Sequence, residues 1–190
     1  MLQNLTLRYF IYGQLCFYVG VAICTALKPQ VLNANSGISY FGVYERTVVP
    51  YTLALLGSAF YMFLSGHWLS LKKYRVTRTF LTYAPLLVVG IVATPYTASA
   101  TFNNIHIAFG AALFSLQLIY IGWVTLRNHN IVNVILFLGM LASGIAAAHY
   151  VSPAHGFLIQ AMIIFQLCFG VFMVNYLRDT TKTPKKTRTV

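Results

Sequence analysis

Three histidines and one glutamate are the residues of this chain whose types could assemble a reactive centre. His106, His149 and His155 carry imidazole rings, and Glu45 is one of only two acids in 190 residues. Three imidazoles and a carboxylate match the ligand types of a zinc site, and two of the histidines could instead hold a haem iron axially. Each ring could equally be a side chain that tolerates a half-wet membrane boundary, so these interpretations stay open from the residues alone.

A second group of candidate residues precedes the second apolar run. Tyr40 and Tyr44 are aromatic, and Glu45 and Arg46 follow Tyr44 directly. This group suits an amphipathic ligand, with the rings against an acyl chain and the charges against a polar headgroup. Glu45 is also a candidate general acid or base. The alternative for Glu45 and Arg46 is an exposed ion pair, worth about 0–1 kcal/mol.

The elements that must position these residues are predicted to be membrane helices. Hydrophobic residues make up 58% of the sequence and charged residues only 8%, and the mean hydropathy is +0.71. A soluble domain carries roughly 25% charged residues because its surface must be solvated. Most of the surface of this chain is therefore expected to face lipid.

Six apolar segments are long enough to cross a bilayer as helices, which requires about 20 residues at 1.5 Å each. Short loops between them predict that sequential helices are antiparallel neighbours. The expected fold is an all-α membrane protein, a six-helix antiparallel bundle of residues 1–177 with a basic, disordered tail at 178–190. The predicted spans are 9–27, 49–71, 80–98, 105–126, 131–151 and 156–177.

The basic residues predict the orientation of the bundle. Eleven of the 13 lysines and arginines fall on one side of the spans, and only Lys28 and Arg46 fall on the other. The positive-inside rule makes the richer side cytoplasmic, with both termini there, and places the three histidines and Glu45 at the outer face. Because the charges lie between apolar runs, they favour anionic inner-leaflet lipid near 72–78 and 178–188 as a partner, and not nucleic acid.

Two segments resemble motifs of six-span families. NSGISYFGVYERTVVPY (35–51) resembles the isnyG outer-loop motif. NNIHIAFGAALFSLQLIYI (103–121) is similar to the fourth-span motif H-x-x-G-A-x-x-F through His106, Gly110, Ala111 and Phe114, with one more residue between His and Gly. The families are the DRAM/FRAG/Sfk-type membrane proteins and the related uncharacterised small bacterial six-span proteins. The resemblance implies lipid handling, including remodelling of lipid anchors, and its bacterial branch implies a prokaryotic cytoplasmic membrane.

Together these observations predict a protein that binds or handles lipid through an outward-facing, histidine-lined pocket. The expected ligand-binding residues are Tyr40, Tyr44, Glu45 and Arg46, and the expected metal ligands are His106, His149 and His155. One alternative is a zinc-dependent hydrolase or acyl-transfer enzyme in which Glu45 moves protons. The other is a haem-binding redox protein. No Asp or Glu lies within a predicted span, which argues against an ion-coupled transporter.

Overall fold

The computed structural model describes residues 2–33, 37–69, 74–128, 130–150 and 157–181. In these ranges the chain forms six α-helices and, between the first two, the short 3-10 helices Pro29–Asn33 and Ile38–Val43. All six α-helices are long and apolar enough to span a membrane, which confirms the predicted all-α six-span bundle. The α-helices are α1 (Leu2–Leu27), α2 (Glu45–Trp68), α3 (Arg75–Ala93), α4 (Ala100–Asn128), α5 (Ile131–Tyr150) and α6 (Leu158–Thr181).

The boundary between α3 and α4 comes earlier in the chain than the apolar runs predict. Proline disfavours helical backbone at the residue that precedes it. Thr94 precedes Pro95 and has φ −119° and ψ 74°, just after α3 ends at Ala93. The hydroxyl of Ser99 then accepts a hydrogen bond of 3.2 Å from the backbone N–H of Phe102 and caps the start of α4. Hydropathy registers neither signal, so it places the loop too far along the chain.

The six helices form a ring in chain order. Each helix packs against the next one along the chain, and α6 returns to pack against α1. The most extensive contact joins α1 and α2, whereas α4 and α6 meet only briefly across the interior. Phenylalanine rings fill the middle of the ring, where Phe10, Phe165, Phe169 and Phe172 are fully buried.

The outside of the ring is apolar. Ile119, Leu53 and Ile135 expose 71%, 66% and 62% of their surface, and other large apolar side chains around the bundle are exposed as well. Leaving such surface in water costs roughly 25 cal/mol per Å² relative to an apolar environment. The same surface is satisfied by acyl chains, which agrees with the membrane-spanning length of the helices.

The loop between α1 and α2, residues 28–44, is named the outer loop after its predicted side of the membrane, and its described parts, 28–33 and 37–44, pack onto the end of the bundle. Within its described parts, Ile38 and Phe41 are buried against the helices. Nε2 of Gln160 in α6 donates a hydrogen bond of 2.6 Å to the carbonyl of Leu32, and the hydroxyl of Thr47 donates one of 2.6 Å to the carbonyl of Phe41. Both ends of the loop are therefore fixed to the bundle by side chains of the helices.

α1 and α2 approach each other closely at Gly20. A Cβ atom on Gly20 would lie 2.1 Å from the Cβ of Ala54 and 3.4 Å from the carbonyl oxygen of Pro50. Small residues permit this kind of close approach between membrane helices. The missing side chain at Gly20 therefore sets the spacing of the first two helices.

Replacing Gly20 by alanine is expected to lower the stability of the bundle. Overpacking costs about 1–3 kcal/mol, which outweighs the roughly 1 kcal/mol that alanine gains over glycine inside a helix. Thermal unfolding in mild detergent measures the difference. Gly110→Ala is the control, because nothing lies within 4 Å of a Cβ atom there. Equal melting temperatures for the two variants would contradict the tight contact at Gly20.

Candidate functional site

His106 in α4 donates to backbone carbonyls that lack their usual helical partners. The carbonyl of Ile91 would bond to the N–H of residue 95 in a continuing helix, but Pro95 has no N–H. Nδ1 of His106 lies 3.1 Å from the carbonyl oxygen of Ile91 and 2.8 Å from that of Thr94. Because carbonyls only accept hydrogen bonds, Nδ1 carries the hydrogen. His106 therefore caps the end of α3 from the neighbouring helix.

The other ring nitrogen of His106 binds the outer loop. In the neutral ring Nε2 is the acceptor, and it receives the hydroxyl hydrogen of Ser39 at 2.8 Å. Ser39 is also hydrogen-bonded to the phenol of Tyr51, which is buried near the start of α2. This hydrogen-bonded chain connects α3, α4, the outer loop and α2 at one point.

A cavity of about 150 Å³ adjoins this hydrogen-bonded chain. Ser39, Tyr51 and His106 supply polar groups to its lining, and Gln166 of α6 supplies another. Gln166 accepts a hydrogen bond of 3.3 Å from Nε2 of Gln117. Five of the six α-helices contribute to its apolar wall, which includes Phe17, Leu55, Ile91, Leu113, Phe114 and Met162. The cavity thus combines apolar walls with polar groups that come mainly from the outer-loop side.

The two predicted ligand-binding tyrosines join a third tyrosine near His106. The hydroxyl of Tyr44 donates to that of Tyr40, and the two rings meet edge to face with centroids 4.8 Å apart. The ring of Tyr96 lies 5.7 Å from that of His106. Burial, together with the nearby phenols of Tyr40 and Tyr44, raises the pKa of Tyr96 to about 12. Its hydroxyl therefore stays protonated at neutral pH and can donate a hydrogen bond.

Glu45 and Arg46 line a different pocket at the surface. This pocket of about 370 Å³ is also lined by Lys28 and Tyr44, and it shares no lining residue with the cavity beside His106. Lys28 lies over the ring of Tyr44, with Nζ 4.3 Å from the centroid. Glu45 is exposed in the first turn of α2, where the helix dipole favours a carboxylate. Glu45 and His106 therefore line two separate pockets and not one.

Of the other two predicted metal ligands, the structure describes only His149. It is exposed in the last turn of α5, and His155 lies outside the described residues. Among the residues that the structure describes, no group of three or more His, Cys, Asp or Glu side chains is placed to hold a metal ion. The zinc and haem interpretations stay predictions, because the proposed ligand set includes a residue outside the described ranges.

Sequence reasoning did not find Ser39, Tyr51 or Tyr96 as site residues. For His106 itself a signal was available, since a proline four residues after Ile91 removes the N–H that would bond to that carbonyl in a continuing helix. Ser39 carries no comparable signal. Its bond to His106 joins positions 67 residues apart and depends on how the outer loop packs.

The chain matches no protein-family model, no curated protein and no solved structure. The resemblance to six-span families therefore stays a prediction. The fold by itself defines the class of protein, which is a multi-pass membrane protein of six helices.

Replacing His106 by alanine is expected to loosen the outer loop and the end of α3. The change removes one hydrogen-bond partner from Ser39 and the side-chain donor to Thr94, and an unpaired buried polar group costs about 1–3 kcal/mol. Hydrogen–deuterium exchange should become faster in 37–44 and 91–96. His67→Ala is the control, because His67 is exposed and its ring contacts Trp68 in the last turn of α2. Unchanged exchange in the His106 variant would mean that these bonds do not hold the loop.

Proposed function

We propose that this protein binds a lipid of the outer leaflet, with part of an acyl chain in the cavity beside His106. The observation that carries the proposal is the lining of that cavity, which pairs apolar walls from five helices with a polar group of Ser39, Tyr51 and His106. An amphipathic molecule at a membrane interface has the same two-part chemistry. The cavity has a volume of about 150 Å³, which is below the roughly 300–1,000 Å³ of drug-sized ligand sites. It therefore accommodates a segment of a lipid and not a whole lipid.

The surface pocket supplies complementary contacts for a headgroup. Lys28 and Arg46, the only two basic residues predicted to face outward, both line it. With the carboxylate of Glu45 in the same lining, the pocket keeps an excess of one positive charge, which favours a phosphate or carboxylate group. Tyr44 is shared between this pocket and the tyrosine cluster, which reaches towards His106 through Tyr96. A lipid would therefore place its headgroup by Lys28 and Arg46, pass along the tyrosines and place part of its chain in the cavity beside His106.

Filling the cavity provides the test. Gly110 lines the cavity, and a Cβ atom there meets nothing within 4 Å, so Gly110→Leu adds a side chain without a backbone clash. Lipids that remain bound after purification in mild detergent should be counted per chain by mass spectrometry. The affinity of the variant for its tightest lipid should be more than about ten-fold lower, a change of about 1.4 kcal/mol or more. Fewer lipids should therefore remain per chain.

The matched control adds the same side chain to the lipid-facing surface of the same helix. Ala112 is exposed, so Ala112→Leu should leave lipid retention unchanged. Equal retention by the two leucine variants would contradict binding in the cavity. A loss in both would point to non-specific contact around α4.

Acyl transfer is a second candidate function, and the orientation of Ser39 and His106 favours it. A serine hydroxyl that donates to Nε2, in a ring whose Nδ1–H is held by an acceptor, is the arrangement by which histidine activates a nucleophile. Ser39 Oγ would attack an ester carbonyl of the lipid while its proton passes to Nε2. His106 would then return that proton to the leaving alkoxide, which departs as an alcohol and leaves an acyl-serine.

A fluorophosphonate probe tests this second function, because it reacts with activated serine hydroxyls. The unmodified protein should be labelled at Ser39, and both Ser39→Ala and His106→Ala should lose the label. Ser115→Ala is the control, since Ser115 is exposed on the same helix as His106. Absence of label in the unmodified protein would leave Ser39 as a structural residue and leave lipid binding as the function.

A further inference from the structure

Two adjoining cavities lie at the opposite end of the bundle, where α1 begins and α6 ends. The first is a polar pocket of about 450 Å³ between the end of α4, the start of α5 and the end of α6. Its lining includes Tyr74, Arg127, Asn133, Tyr176 and Asp179. A pocket with this many polar side chains suits a polar group and not an acyl chain.

The second cavity is an apolar groove of about 520 Å³ between α3 and α4. Val76 and Phe80 form one wall, and Leu116 and Ile119 form the other. Val76 and Ile119 expose 49% and 71% of their surface, so the groove is open on the side that faces lipid. Its shape and chemistry suit one acyl chain lying along the helices.

Arg127 and Trp123 are the residues that the two cavities share. The guanidinium of Arg127 lies 4.2 Å from the centroid of the Trp123 ring. Stacking on an aromatic ring holds an arginine in place while its N–H groups remain able to bind a phosphate in a bidentate manner. A cation is therefore positioned where a polar pocket meets an apolar groove.

Asn133 adds an independent sign of a ligand. The residue lines the polar pocket and is only 4% exposed, yet its Oδ1 has no hydrogen-bond partner in the described part of the chain. An unpaired buried amide oxygen is costly, and the soft χ2 torsion of asparagine allows the oxygen to turn towards the pocket. A ligand with a hydrogen-bond donor would satisfy it.

We propose that these cavities together bind an anionic phospholipid with a hydroxylated headgroup, of the phosphatidylglycerol type. The acyl chain lies in the groove, the phosphodiester pairs with Arg127, and a headgroup hydroxyl donates to Asn133. The carboxylate of Asp179 in the same pocket disfavours a second negative charge on the ligand, which a phosphodiester does not carry. Most lysines and arginines of the sequence lie towards this side by the predicted topology, which favours an anionic lipid over a neutral one.

This site is separate from the proposed outer site. None of its lining residues lines the cavity beside His106 or the surface pocket beside Glu45. Failure of either proposal therefore leaves the other intact.

Quenching of Trp123 fluorescence by brominated lipid tests the proposal. The Trp68→Phe protein keeps Trp123 as its single tryptophan and is reconstituted into phosphatidylcholine nanodiscs. Phosphatidylglycerol or phosphatidylcholine, each brominated on its acyl chains, is then added at increasing mole fraction. Half-quenching should need about five-fold less phosphatidylglycerol, as expected for about 1 kcal/mol from one cation. The ratio of the two half-quenching mole fractions does not depend on the fluorescence yield of Trp123, so variants that change this yield can still be compared.

Variants test whether Arg127 and Asn133 cause the preference for phosphatidylglycerol. Arg127→Gln should remove most of it, and Arg127→Lys should keep only part of it because an ammonium does not replace a stacked, bidentate guanidinium. Asn133→Leu should reduce it about two-fold, the lower end of the range for one hydrogen bond. Arg75→Gln removes the same charge from an exposed position at the same end that lines neither cavity, and should retain the preference. Equal quenching by the two lipids in the parent protein would overturn the site. So would an equal loss in Arg75→Gln and Arg127→Gln, because the preference would then reflect general surface charge.

Discussion

The hydrogen bonds from His106 to the end of α3 are the interaction on which the outer half of the molecule depends. Pro95 removes the N–H that would bond to Ile91 in a continuing helix, and the backbone supplies only a long hydrogen bond of 3.4 Å from the N–H of Thr94. An imidazole on the adjacent helix supplies the donor at 2.8–3.1 Å. That requirement fixes the tautomer of the ring, and the tautomer makes the other nitrogen an acceptor for Ser39. The position of the outer loop is thus linked to a proline in a different part of the chain.

Both ends of the bundle place polar groups beside apolar surface, but the polar groups differ. At the end that carries the loop between α1 and α2, a network of hydroxyl, phenol and imidazole groups borders a small cavity. At the end where α1 begins and α6 ends, an arginine stacked on tryptophan lies where a polar pocket meets an open groove. A network of hydrogen-bonding groups suits a buried segment of a ligand because it can pair with the polar atoms of that segment. A stacked guanidinium suits a phosphate at the interface, where the charge stays partly hydrated.

The six-span fold was predictable from the sequence because long apolar runs depend on local composition. The clustering of Tyr40 and Tyr44 was predictable for the same reason, since they are four residues apart. The assignment of Glu45 and His106 to separate pockets was not, because it depends on the path of the outer loop over the bundle. Ser39 and Tyr96 became visible only after packing brought distant segments together. Hydropathy also placed the end of α3 too late, since it does not register the backbone restriction before Pro95.

The closure of the ring by α6 has a consequence for the assembly of the protein during its synthesis. The helices enter the membrane in chain order, and the tight contact at Gly20 allows α1 and α2 to pair as soon as both have left the ribosome. The cavity beside His106, however, takes Phe17 from α1 and Met162 from α6. Its wall is incomplete until the last helix has been inserted. A chain whose synthesis stops before α6 therefore carries the loop and the histidine but lacks the Met162 and Gln166 side of the cavity.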